Sequence, residues 1–248
     1  MLKTRVIPIL TFNGIGLVKT KQFSNPRMVG NPVQAARVYN QRGVDELVFI
    51  DIYASEQNRK INLKLVSDVI KECYMPVAIG GGISTIDDIT NLLKIGADKV
   101  VIKTKALTDP DFIKRAVSIF GSQCITISVD AIAHHNDYKI YNRQGIDLSL
   151  NEFTNSMMAC EVGEFIINSV DNDGMMNGYN FDLINTVLKN TNLPVIAVGG
   201  GGEMTHYKQL MTETKIEAVG SSSIFHFTQF TPRDIKNELN QINVPVRL

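Results

Sequence analysis

The chain has no excess of either charge: 25 lysines and arginines are matched by 25 aspartates and glutamates in 248 residues. That balance removes the global electrostatic pull that brings proteins to nucleic acid or to an anionic membrane. Any basic character has to be local. Cysteine is also scarce. Cys73, Cys124 and Cys160 are odd in number and widely separated, which excludes a disulfide framework and a paired-thiol metal or redox motif. Reduced structural cysteines in a cytoplasmic protein are the expectation. No apolar run approaches the ~18 residues of a membrane span. After the first basic residues only Val6 to Leu10 is continuously apolar, so no signal peptide is expected. Low-complexity segments and linkers are missing too, and residues 1–248 read as one domain.

What is present is alternation. Short apolar runs are separated by amphipathic stretches of helical period. The runs are Val6 to Leu10, Leu47 to Ile50, Val77 to Ile79, Val100 to Ile102, Ile125 to Val129, Phe165 to Ile167, Val195 to Val198 and Ala218-Val219. Helical spacing or start signals follow each: Asn31-Pro32, Leu63 to Cys73, Ser84-Thr85-Ile86-Asp87 as a capping sequence, Asp109-Pro110, Leu150 to Cys160, Phe181 to Lys189, Met204 to Met211 and Pro232 to Leu239. Between the fifth strand and its helix, Ala133 to Ser149 forms an insert in which Tyr138 to Tyr141 alternates as a hairpin strand does. Near-continuous apolar strands that alternate with helices predict a parallel sheet covered on both faces. Eight such units in about 250 residues predict a closed (β/α)8 TIM barrel.

The two halves repeat. Glu46-Leu47-Val48-Phe49 and Glu164-Phe165-Ile166-Ile167 are 118 residues apart, as are Pro76-Val77 and Pro194-Val195, and Gly81-Gly82 and Gly199-Gly200. A constant offset predicts two stacked half-barrels. Each Pro-Val strand runs into glycines, Gly80 to Gly82 and Gly199 to Gly202, before a helix. Free backbone N–H groups and a positive dipole end there make an anion cradle. Two related cradles predict a ligand with two phosphates.

Barrel chemistry sits at the C-terminal ends of strands, and few residues there are apolar. Asp130 ends an otherwise apolar strand and is the leading acid–base candidate, with a cap as the bland alternative. Asp171 and Asp173-Gly174 belong to Asp-Asn-Asp-Gly, which can equally be a tight turn. Gly81, Gly82, Thr104, Gly199, Gly200, Ser222 and Ser223 are the phosphate candidates. Lys19 and Lys103 carry charge that suits them. His134-His135 lacks a third ligand, and His206 and His226 lack neighbours of metal-ligand type, so no metal is assigned. Met157-Met158 and Met175-Met176 read as packing residues.

The stretches Asp45 to Asp51, Gly80 to Ile83, Gly96 to Val100, Phe120 to Gln123, Asp171 to Gly174 and Val244 to Leu248 together resemble the HisF family, the cyclase subunit of imidazole glycerol phosphate synthase, over essentially the whole chain. That resemblance implies a heterodimer with a HisH-like glutaminase, which releases ammonia at the lower face of the barrel. It implies a bisphosphate substrate at the upper face and no cofactor. The family's charged gate maps onto Arg5, Glu46, Lys99 and Glu164, each with the expected sign.

One departure dominates. The family's acid–base pair is two aspartates at the ends of the first and fifth strands; Asp130 is the second, but the first is Thr11. A hydroxyl has no accessible pKa near neutrality and cannot replace a carboxylate as general base. Lys103 stands where the family has asparagine, and Asn168 where it has threonine. This pattern resembles a divergent HisF-like branch of surface-sugar biosynthesis. In that branch a third, amidotransferase-like protein participates in forming an acetamidino group. Imidazole glycerol phosphate synthesis is the alternative, and an inert ammonia conduit the third reading.

Overall fold

In the computed structural model, which describes residues 2–248, all eight expected strands form and close on one another. In chain order they are β1 (Arg5–Phe12), β4 (Leu47–Asp51), β5 (Val77–Gly80), β6 (Lys99–Ile102), β7 (Ile125–His134), β9 (Glu164–Ser169), β10 (Val195–Val198) and β11 (Ala218–Ser221). Each pairs in parallel with its neighbours, and β11 pairs with β1 to shut the barrel. A parallel pair needs a crossover, and helices supply it on the outside. These are α1 (Pro32–Gln41), α2 (Leu63–Ile70), α3 (Ile86–Lys94), α5 (Pro110–Phe120), α6 (Leu150–Met158), α7 (Phe181–Asn190), α8 (Met204–Glu213) and α10 (Pro232–Gln241).

Side chains alternate across a strand, so each barrel strand feeds two cores. Val6, Leu10 and Phe12 of β1, with Ile125, Ile127 and Val129 of β7, pack outward against the helices in the larger apolar cluster. Ile7, Ile9, Val48, Ala78, Val101, Ile166, Ile196 and Ala218 pack inward as a second cluster that fills the barrel. The inward face has a consequence for function. On β1 it runs Arg5, Ile7, Ile9, Thr11; on β6 and the residue after it, Lys99, Val101, Lys103; on β9, Glu164, Ile166, Asn168. Period 2 thus places a charged residue at one end of the barrel and a mouth residue at the other on the same strand.

Four local features differ from the expectations. The stretch 11–30 had no assigned structure, yet β2 (Leu17–Lys21) and β3 (Ser24–Gly30) form a hairpin there. Its two-residue loop puts Gln22 at φ 48° and Phe23 at φ 60°, the geometry of a tight hairpin turn that usually carries Asn or Gly. Without those residues the turn leaves no sequence signal. The cap of α3 is Thr85, reciprocated by Asp88, one residue beyond the expected Ser84 and Asp87. β7 does not stop at Val129 but continues to His134, where it pairs with β8 (Asp137–Ile140), so Asp130 lies within the strand. Finally, the glycine runs do not lead straight into helices: α3 and α8 begin at Ile86 and Met204. Two further five-residue helices, α4 (Thr104–Thr108) and α9 (Ser223–Phe227), follow β6 and β11.

Candidate functional site

The lower end of the barrel is a closed ring of charge. Arg5 and Lys99 each contact both Glu46 and Glu164. Arg5 Nη1 lies 2.7 Å from Glu46 and Nη2 pairs with Glu164; Lys99 Nζ lies 3.0 Å from Glu46 and 2.9 Å from Glu164. The carboxylates are buried while the cations retain some access to solvent. Burial alone would lower the Arg5 pKa, but Glu164 and Glu46 outweigh it and the guanidinium is held more firmly charged. Two cations shared by two anions leave no net charge and no lone partner, which is how a buried charged cluster avoids a prohibitive desolvation cost. The structure therefore brings together all four residues of the expected gate.

At the upper end a cavity of about 460 Å³ opens among the strand ends, within the range of small-molecule sites. Thr11, Lys19, Gly81, Gly82, Lys103, Thr104, Asp130, Asn168, Asp173 and Ser222 all lie on its wall, and its floor reaches the inner apolar layer at Ile9, Val101 and Ile166. Gly174, Gly199, Gly200 and Ser223 do not reach the wall. The duplication explains where they are. A Cβ on Gly81 (φ 111°) would collide with the Asp51 carbonyl of β4 and come within 2.9 Å of the Asp51 nitrogen; one on Gly199 (φ 91°) would meet the Ser169 carbonyl at 2.8 Å and nitrogen at 3.2 Å. Asp51 and Ser169 are themselves 118 residues apart. The loops are thus equivalent, but the second is covered: the Gly178 N–H donates to the Gly200 carbonyl at 2.9 Å.

The polar groups at the mouth are engaged unevenly. The Thr11 hydroxyl donates to the Val18 carbonyl, so it ties β1 to β2 and fixes the strand that carries Lys19. Lys103, a phosphate candidate from sequence, forms an ion pair with Asp130. It also lies 5.9 Å from the ring of Phe23 and 5.7 Å from that of Tyr141, within cation–π range. Asp51 is bound by Arg59, with Nη2 2.7 Å from Oδ1. Lys19 is buried, and burial lowers its pKa to about 8 against the opposing pull of Asp173. Burial raises the Asp173 carboxyl, which Lys19 and a 3.0 Å hydrogen bond from Thr20 only partly offset. His226 on α9 is pushed down to about 4 by burial and by Lys19. Environments that move an amine and a carboxyl toward neutrality at one site are those that acid–base chemistry uses.

Comparison with known proteins now decides the family. Residues 5–231 match the family model described as histidine biosynthesis protein. A protein assigned as subunit hisF2 of imidazole glycerol phosphate synthase from Vibrio vulnificus is 41% identical over the whole chain and 92% of its own length. The imidazole glycerol phosphate synthase subunit HisF of Staphylococcus saprophyticus is 40% identical over the full length of both proteins. The chain belongs to the HisF family. The names of these HisF relatives carry the synthase of histidine biosynthesis, which was the alternative reading from sequence, and give no support to the surface-sugar branch.

Several residues of the candidate site escaped sequence reasoning. Phe23, Tyr141 and Arg143, all on the cavity wall, belong to hairpins or an insert with weak local signals. Ser128 also reaches the cavity, and Thr126 lies below it on the same inward face of β7. The Ile-Thr-Ile-Ser-Val-Asp alternation marks that polar face once the strand is known to line a barrel. Among the described residues no group of three or more His, Cys, Asp or Glu converges to hold a metal ion, and no helix is long and apolar enough to cross a membrane.

Proposed function

We propose that this HisF-family barrel is the cyclase-type synthase subunit of a glutamine amidotransferase. It takes ammonia from a HisH-like glutaminase docked at the charged lower end and uses it on a phosphorylated substrate in the upper cavity. The observation that carries this reading is the inward face of the strands, which links the ring of Arg5, Glu46, Lys99 and Glu164 to the cavity along one axis. Gly81, Gly82 and Thr104 offer backbone N–H groups to one phosphate. Ser222, on the same wall, serves the other, while Gly199, Gly200, Ser223 and Gly174 shape the covered loop behind it. Lys19 supplies the positive charge that neither glycine loop has. Ammonia is nucleophilic only when neutral, and its addition to a substrate carbon leaves a proton to be removed. Asp130 and Asp173 are the carboxylates placed to take it.

A second reading is favoured by one specific observation. Position 11 is a hydroxyl spent on the Val18 carbonyl, and Asp130 is held by Lys103, so the mouth has no free pair of opposed carboxylates. That constellation suits an altered acceptor, such as the acetamido group of a sugar, with a third amidotransferase-like protein completing the reaction. The test is turnover with ammonium in place of glutamine, using the ribonucleotide substrate of imidazole glycerol phosphate synthase and the purified chain. Consumption of the ribonucleotide supports the cyclase. Failure by the wild type, with gain of turnover in Thr11→Asp, supports the altered acceptor. Failure of both leaves an ammonia conduit.

A further inference from the structure

Three buried side-chain polar atoms have no hydrogen-bond partner among the described residues: Thr126 Oγ1, Asn168 Oδ1 and His226 Nε2. The first two lie on the paired strands β7 and β9, facing into the barrel. Register places Thr126 beside Glu164 of the charged ring, Ser128 beside Ile166, and Asp130 beside Asn168 at the mouth. The rest of the interior is apolar, with Ile7, Val48, Ala78, Ile196 and Ala218 at the depth of Thr126 and just above. One seam of the wall therefore carries hydroxyls and an amide from the ring to the cavity, and the other strands carry hydrocarbon.

Thr126 is the informative residue. It is 1% exposed, and valine has nearly its shape and an equal liking for strands. An unpartnered hydroxyl in an apolar interior is costly, so packing favours valine there. The hydroxyl is accounted for if something passes or rests against it. Two residues along a strand span about 6–7 Å, which places Thr126 one step below Ser128 and the floor of the cavity. A guest at this place has to be small and neutral, because a desolvated ammonium ion would be excluded. It has to donate or accept one hydrogen bond at the hydroxyl.

We infer that the β7–β9 seam is a track for a small neutral hydrogen-bonding molecule. Thr126 is its first station above the charged ring, Ser128 the second and the Asn168 amide oxygen the third. The passenger is ammonia during turnover, and water takes the same station at rest. The ammonia assignment rests on the proposed function above; the station itself rests on the orphaned hydroxyl.

The isosteric substitution Thr126→Val tests both parts. In a high-resolution crystal structure of the wild-type chain, a solvent-sized peak is expected within hydrogen-bond distance of Thr126 Oγ1, and none in the variant. With a bonded guest lost, the variant is expected to melt about 2–4 °C lower. A dry hydroxyl together with a variant that melts higher overturns the station. In the complex with its glutaminase, the ratio of glutamine-driven to ammonium-driven product formation is expected to fall about fivefold, as for one lost hydrogen bond. An unchanged ratio overturns the track and leaves a structural water. Glu46→Lys separates the two levels: if it too leaves the ratio unchanged, it is the proposed ammonia route that fails, whatever Thr126 binds.

Discussion

The two ends of this barrel handle buried charge in opposite ways. At the lower end four ionised groups satisfy one another in a closed ring, two cations each shared by two carboxylates. At the upper end the charges are more numerous but less completely matched. Lys103 holds Asp130 and Arg59 holds Asp51, while Lys19 and Asp173 face each other from positions where burial pulls both toward the neutral form. Nothing in the ring needs a further partner, because each charge already has two of opposite sign. The mouth stores an unmet demand for counter-charge and hydrogen bonds, which a ligand can meet. A structural device and a binding site are distinguished here by whether their charges are already satisfied.

Breaking the ring is expected to have the largest effect. Glu46→Gln leaves two cations on Glu164 alone. It should cost about 3–5 kcal/mol of folding stability in denaturant titrations, as removing one member of a buried charge cluster does. A loss under about 1 kcal/mol would show that the ring is solvated like a surface network. The mouth should respond with the opposite sign. Lys19 keeps its charge in the folded state below pH 8 at a desolvation cost, so Lys19→Met should stabilise the fold by about 3 kcal/mol at pH 7. The linkage follows from a folded pKa of about 8 set below the unfolded value of 10.5. Between those pH values the unfolded chain binds more protons, wild-type stability rises with pH, and the advantage of the methionine variant disappears above pH 10.5. The same substitution should weaken binding of a phosphorylated ligand. In the wild type, affinity measured by calorimetry should decline as pH passes 8.

The smallest expected effect concerns His226. Its folded pKa of about 4 lies below the ordinary 6.5, so the stability gained by keeping it neutral is fully present above pH 6.5 and is lost as pH falls toward 4. Thermal melts across that window should show the loss in wild type and a flatter profile in His226→Leu. Identical profiles would mean that the imidazole reaches solvent and that the mouth is less closed than the lower end in this respect too.

Much of the fold was legible because it rests on local patterns. Eight apolar runs became eight barrel strands, and the 118-residue repeat reappears as matched contacts of Gly81 with Asp51 and Gly199 with Ser169. The site was legible in part. Most of the mouth residues could be placed from strand ends, whereas the four ring residues came only through the family resemblance. What remained hidden was the use made of each group. Sequence alone did not show that Lys103 pairs with Asp130 or that the Thr11 hydroxyl holds the hairpin that presents Lys19. Gly199 and Gly200 looked equivalent to Gly81 and Gly82 and are, but the segment around Gly178 covers them.

The sequence by itself determined the barrel, its duplication and the polar residues at the strand ends of the mouth. Those follow from period, spacing and residue type, which are properties of short stretches of chain. Only the tertiary structure decided which charges are spent and which are free. Hydrogen bonding and desolvation depend on neighbours far along the chain, 159 residues apart for Arg5 and Glu164, and no local pattern reports them.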